Sequence, residues 1–257
     1  MDQERNGLSE LESIFNRIVL PTAKELVDLY EEFNVHSHKA LRCGVAKRLI
    51  APPYRYAKNN LNLKGRPGEP ELKQLFIHKL IENTDYKYSV ETQTSVPHNN
   101  TGKNNSQGNN SHGRSGNIDL TIYDPESTKG VLLNFINVEF KAIGASFDAV
   151  RVDIKKLMME KSCGIWFLSL INANKGTMPK VLQKLSRAFN EAYGLCLENP
   201  ETCKYIKNKL IMIFVAVLGK KRAGHLKIFD FREAEADFKS YCDNFFNNFE
   251  FHDLNKK

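Results

Sequence analysis

Three residues of this chain, Asp119, Glu139 and Lys141, have types and spacing that could do chemistry together. Residues 116–123 alternate apolar and polar side chains, and 132–143 form a second β-like run with Glu139-Phe140-Lys141 near its end. Side chains two apart on a strand share a face. Glu139 and Lys141 therefore point the same way, and Phe140 packs on the opposite side. A short connection around Asp124-Pro125-Glu126-Ser127 makes the two strands antiparallel neighbours. Two carboxylates and an ammonium then meet at a sheet edge. Carboxylate oxygens are hard ligands suited to Mg²⁺, which keeps several waters and takes one or two protein carboxylates plus substrate phosphate. A phosphodiester repels hydroxide. A metal that acidifies a water and neutralises developing charge removes that obstacle, and a lysine can orient the water or stabilise the charge.

Spacing alone does not select this site. Asp or Glu followed two residues later by Lys occurs five times, the other four starting at Glu71, Asp85, Asp153 and Asp237. Three of those fall in helical patterns, where i and i+2 do not face each other. Asp85 opens a strand with no acidic strand before it. The competing reading of Glu139-x-Lys141 is a solvated cross-strand ion pair, worth little to stability. The apolar flanks Val138, Phe140, Ala142 and Ile143 argue for a buried strand instead.

The elements that must position these residues read as follows. Apolar spacing predicts helices over 8–20 and 22–34, separated by Pro21, and a third over 39–50 with Pro52-Pro53 beyond its end. A helix opens at Glu69-Pro70-Glu71, a strand covers 86–96, and 97–117 is a 21-residue tract with seven Asn, four Gly and three Ser. That tract reads as a mobile loop between strands. After Lys141 come a helix over 146–161, a strand over 164–171, a helix over 179–193 and a strand over 210–218. An edge strand over 226–231 and a terminal helix over 233–249 complete the chain. The alternation predicts an α/β fold with a mixed sheet flanked by helices, divided into a basic helical N-terminal extension (1–68) and a core (69–257).

The chain has 257 residues, 41% of them hydrophobic, and a net charge of +7, enough for one core with an added lobe. No apolar run is of membrane-spanning length and no signal-peptide pattern opens the chain, which predicts a cytoplasmic protein without membrane association. Five cysteines without a CxxC pair indicate neither a disulfide framework nor a zinc site. Between Phe33 and Gly68 there is no acid, while Lys39, Arg42, Lys47, Arg48, Arg55, Lys58, Lys64 and Arg66 supply eight positive charges beside Tyr54 and Tyr56. Such a patch reads as a footprint for a phosphate backbone. Arg114, within the polar tract, is a further candidate contact.

Glu71 on a helix, a strand, Asp119 on the next, Glu139-Phe140-Lys141 on a third, then helix, strand and helix: this order resembles the PD-(D/E)XK nuclease superfamily, which includes many type II restriction endonucleases. The resemblance spans about residues 70–218. Ile118 stands where the family's proline would be. It implies a restriction-endonuclease-like fold in which Asp119 and Glu139 bind Mg²⁺, with Mn²⁺ able to substitute. Lys141 would assist the attacking water, and Glu71 would complete or order the metal shell. The implied activity is hydrolysis of double-stranded DNA, of the type II restriction kind, and cutting both strands calls for two sites and hence a homodimer. A repair or recombination nuclease such as a junction resolvase, or a DNA-binding module without cleavage, are the alternatives.

Overall fold

The computed structural model describes residues 2–35, 68–97, 115–124, 134–142, 145–171, 176–198, 206–207, 209–218, 223–234 and 237–254. The helices are α1 (Asp2–Ile14), α2 (Leu20–Val35), α3 (Glu69–Asn83), α4 (Phe147–Met159), α5 (Thr177–Leu197) and α6 (Phe238–Asn247). The strands are β1 (Tyr88–Pro97), β2 (Ser115–Tyr123), β3 (Asn134–Lys141), β4 (Cys163–Ile171), β5 (Leu210–Leu218), β6 (Ala223–Asp230) and β7 (Glu250–Asp253).

All seven strands form one mixed sheet in chain order. Antiparallel meanders, β1-β2-β3 and β5-β6-β7, lie at its two ends, and β3, β4 and β5 run parallel between them. Parallel neighbours need a crossover, and α4 and α5 supply the two. Every residue of β5, Leu-Ile-Met-Ile-Phe-Val-Ala-Val-Leu, is buried. A parallel strand covered on both faces requires such an unbroken apolar run.

Alternation along the strands divides the core into two layers. Leu120, Val138, Phe140, Phe167 and Phe214 face α1, α2 and α3. Trp166, Leu168, Ile213, Val215 and Phe229 face α4, α5 and α6. Leu11, Ile14, Ile18, Leu26 and Val27, from the extension expected over 1–68, pack into the same cluster as the sheet. The expected break at Pro21 is absent. A π-helical turn over Phe15–Val19 joins α1 to α2, with the Leu20 N–H reaching back to the Phe15 carbonyl. Proline crowds the carbonyl four residues before it, and the wider π turn gives that carbonyl room.

Two expectations at the C-terminal end are corrected. The strand expected over 226–231 begins at Ala223 and is not the edge, since β7 pairs outside it. The terminal helix starts at Phe238, where Asp237 caps it by accepting the Ser240 N–H at 3.0 Å. The helix expected over 39–50 and most of the 97–117 tract lie outside the described residues; Ser115, Gly116 and Asn117 belong to β2. Among the described residues no helix is long and apolar enough to cross a membrane.

One buried charge stands apart from this core. Lys209, just before β5, is 2% exposed and its Nζ finds no hydrogen-bond partner among the described residues. Burial pulls its ammonium down to about 8. The folded lysine thus releases its proton at lower pH than the unfolded one, so it penalises folding fully below pH 8 and progressively less as pH rises toward 10.5. Lys209→Met is expected to stabilise the protein by about 3 kcal/mol below pH 8, with the advantage shrinking toward zero by pH 10.5. Urea unfolding of both proteins across this range measures it; an advantage that does not vary with pH would mean that the charge is not the cost.

Candidate active site

β2 and β3 turn Asp119, Thr121, Asn137, Glu139 and Lys141 toward the α4 layer. Thr121 Oγ1 donates to Asn137 Oδ1 at 3.0 Å and Asn137 Nδ2 donates to Ser162 Oγ at 2.8 Å, which satisfies the buried polar groups below the site. The paired register runs to Leu120↔Val138. The next rank would set Asp119 directly opposite Glu139, and like charges so placed repel. Instead, Asp119 Oδ2 accepts the Phe140 N–H at 2.9 Å, so a carboxylate takes up a backbone donor at the end of β3.

Glu139 is 1% exposed, and its Oε1 contacts the Nζ of Lys156 from α4. Lys156 also donates to the Asn117 carbonyl at 2.8 Å and lies 3.4 Å from Asp153 Oδ1. Asp153 Oδ2 is 2.9 Å from Lys141 Nζ, and Lys141 is 3.5 Å from Glu69 Oε2 at the start of α3. On the other flank, Lys73 of α3 sits 2.6 Å from Glu91 and 3.8 Å from Asp119. The site is a run of alternating charge reaching from one helical layer around the end of β3 to the other. Five carboxylates (Glu69, Glu91, Asp119, Glu139, Asp153) face three ammonium groups (Lys73, Lys141, Lys156), a formal excess of two negative charges.

Burial, and then the charge of Asp153, pushes the Glu139 carboxyl well above its usual range. Burial also raises Asp153, against the pull of Lys156 and Lys141, and raises Glu69 against the pull of Lys141. Burial works to lower Lys141 and Lys156. It is outweighed by Asp153 at Lys141 and by Glu139 and Asp153 at Lys156, so both are held above the ordinary lysine value as firm cations.

The structure brings Asp119, Glu139 and Lys141 into this group. Glu71 is elsewhere: it is 5% exposed, and its Oε2 accepts the Gly68 N–H at 2.7 Å, which caps the start of α3. The α3 carboxylate beside Lys141 is Glu69, which at the first residue of the helix can lean over the strand end. Lys39, Arg42, Lys47, Arg48, Arg55, Lys58 and Arg114 lie outside the described residues.

Sequence reasoning missed Asp153 and Lys156. It set Asp153 aside because Lys155 stands two residues later, but on a helix the partner is three residues on. The available signal was two charges at i and i+3 on the same helical face as Val150, Ile154 and Leu157, all buried. Glu91 was also missed. Its neighbours pair as Val90↔Leu120 and Thr92↔Ile118, which sets Glu91 across from Asp119. Three acids, one on each of β1, β2 and β3, thus occupy one rank of the sheet.

Comparison with protein-family models, curated proteins and solved structures finds no match to the chain.

Glu91 is the one non-glycine residue with positive φ among the described residues, at 53°. Glycine adopts this conformation freely and other L-residues pay to do so. Glu91→Gly and Glu91→Ala both lose the Lys73 contact, so their difference isolates the backbone. The glycine variant is expected to be the more stable by about 1 kcal/mol. Equal denaturation midpoints would show that β1 relaxes to an extended backbone once the glutamate is gone.

Proposed function

We propose that this protein is a Mg²⁺-dependent endonuclease that hydrolyses phosphodiester bonds of double-stranded DNA, with a restriction-endonuclease-like fold and an activity of the type II restriction kind. The observation that carries the reading is the meeting of Asp119 on β2 with Glu139 and Lys141 on β3, under a helix on each side of the sheet. The order of α3, the β1-β2-β3 meander, α4, β4 and α5 supports it.

The donor set fits Mg²⁺. Its oxygens are hard and its formal charge excess is that of one divalent cation. Among the described residues no three His, Cys, Asp or Glu side chains are arranged to hold an ion, but Mg²⁺ takes only one or two protein carboxylates and completes its shell with water and phosphate. Asp119 and Glu139 would hold it. When bound, the ion supplies Lewis acidity toward the phosphate and lowers the pKa of a water. The Phe140 N–H fixes the direction of the Asp119 carboxylate. Lys141, kept cationic by Asp153 and Glu69, offers a positive charge where the phosphate becomes more negative. Asp153 orients that ammonium and, from its place on α4, ties it to the helical layer.

For the duplex, this reading assigns a basic face of α5. Lys180, Lys184 and Arg187 recur along one face of α5, beside Phe147 at the start of α4, six residues after Lys141. Lys184 bonds the Ala145 carbonyl in the connection leaving β3, and Arg187 lies 4.5 Å over the Phe147 ring. Lys239 of α6 lines the same groove. A second reading, a DNA-binding module without cleavage, is favoured by one observation: Glu139 and Lys141 each already hold an ionic partner.

Cleavage of plasmid DNA with Mg²⁺ separates the two readings. Asp119→Ala is expected to reduce cleavage by about 10²–10³-fold or more, with DNA binding intact or tighter because a negative charge near the scissile phosphate is gone. Lys141→Ala should lose cleavage to a similar degree but bind slightly more weakly. A wild-type protein that binds DNA and never cuts it would leave the binding module standing. Lys180→Ala/Arg187→Ala should lower the slope of log K against log salt by about 1.8, near 0.9 for each lost phosphate contact. A slope equal to wild type would move the docking surface off α5.

A further inference from the structure

We propose that Lys156 is a built-in counter-cation that holds Glu139 in the metal-free protein, gives it up when a divalent cation enters, and through this competition sets the affinity of the site for metal. The inference rests on the function proposed above and adds a positioning residue to it.

A carboxylate as enclosed as Glu139 cannot stay ionised and unpartnered. Lys156 answers that need from α4, with Nζ directed at a carboxylate oxygen of Glu139, a carboxylate oxygen of Asp153 and the carbonyl of Asn117. These partners are all hard oxygens, and two of them are anionic, so they are the partners a small divalent cation would also seek. An ammonium and such a cation repel each other and cannot share the same Glu139 oxygen.

The contact is arranged so that it can be released. Lys156 does not depend on Glu139 alone. The same ammonium donates to the Asn117 carbonyl, and Asp153 stands 3.4 Å away. Lys156 can therefore let go of Glu139 while keeping two partners, and its flexible four-carbon stem permits the shift. Lys141 differs: its partners are Asp153 and Glu69. The two lysines thus divide the work, one serving the reaction and the other the metal-free state.

The test uses Mg²⁺ alone, without DNA. Trp166, the single tryptophan of the chain, lies directly across from Glu139 on β4 and reports on the site by its fluorescence. Lys156→Met is expected to lower the melting temperature without metal, to bind Mg²⁺ roughly tenfold more tightly than wild type, the effect of a desolvated charge contact of modest strength, and to gain more melting temperature from Mg²⁺. Equal or weaker Mg²⁺ binding by the variant would overturn the inference while leaving the metal site in place. No Mg²⁺ binding by either protein would overturn the metal site itself, and the inference with it. Should the variant not fold, the wild type decides alone. Reductive methylation of Lys156, read by peptide mass spectrometry, should rise as Mg²⁺ is added if the ammonium is displaced. Unchanged labelling under conditions where Trp166 reports Mg²⁺ binding would refute displacement.

Discussion

The buried carboxylate of Glu139 is the constraint around which the site is assembled. It lies on a strand that is apolar on its other face, between β2 and β4, where water cannot solvate it. A charge so placed must find a partner within the protein. No strand neighbour supplies one, because Asp119 is of the same sign and Trp166 is neutral. The partner comes from α4, the crossover that the parallel β3–β4 pair requires in any case. Its placement over β3 brings Lys156 to Glu139 and Asp153 to Lys141. Topology and electrostatics thus make one demand, a helix packed over this face with a lysine and an aspartate three residues apart.

The same constraint accounts for the opening between β2 and β3. A regular ladder continued past Leu120↔Val138 would press Asp119 against Glu139 in a non-polar layer. With Asp119 turned to the Phe140 N–H and to Lys73, each carboxylate has its own cation and the two are served from different helical layers. Glu91 belongs to this arrangement. Across from Asp119 it would add a third acid to the row, and its left-handed backbone accompanies a side chain directed at Lys73 instead. The strain at Glu91 and the tight approach of Lys73 are two sides of one accommodation.

Much of this was legible in the sequence, for identifiable reasons. The apolar run of β5 and the alternation of β2 and β3 reflect burial on two faces or one, and they fixed the face that Asp119, Glu139 and Lys141 share. What escaped was set by distances the pattern does not encode. Glu71 and Glu69 are both acids in the first turn of α3, and only the cap geometry decides that Glu71 bonds Gly68 while Glu69 meets Lys141. Pro21 reads as a break, yet a π turn absorbs it because α1 and α2 gain by packing on one sheet face. β7 has four residues, too few to display a period.

Neutralisation of the site remains incomplete, and this bears on its chemistry. Three lysines answer five acids, and two of the acids that burial raises, Glu139 and Asp153, stand where the lysines already crowd. Two further lysines would balance the charge but leave no attraction for anything else. An excess of two negative charges, enclosed by two helical layers and open at the end of β3, instead leaves standing attraction for a cation. Under the proposed function it would also keep the phosphate of a nucleic acid at a distance until that cation is present. Under the proposed function, metal therefore has to precede or accompany productive DNA binding, and Lys156 supplies the charge that keeps the fold intact during the interval before it arrives.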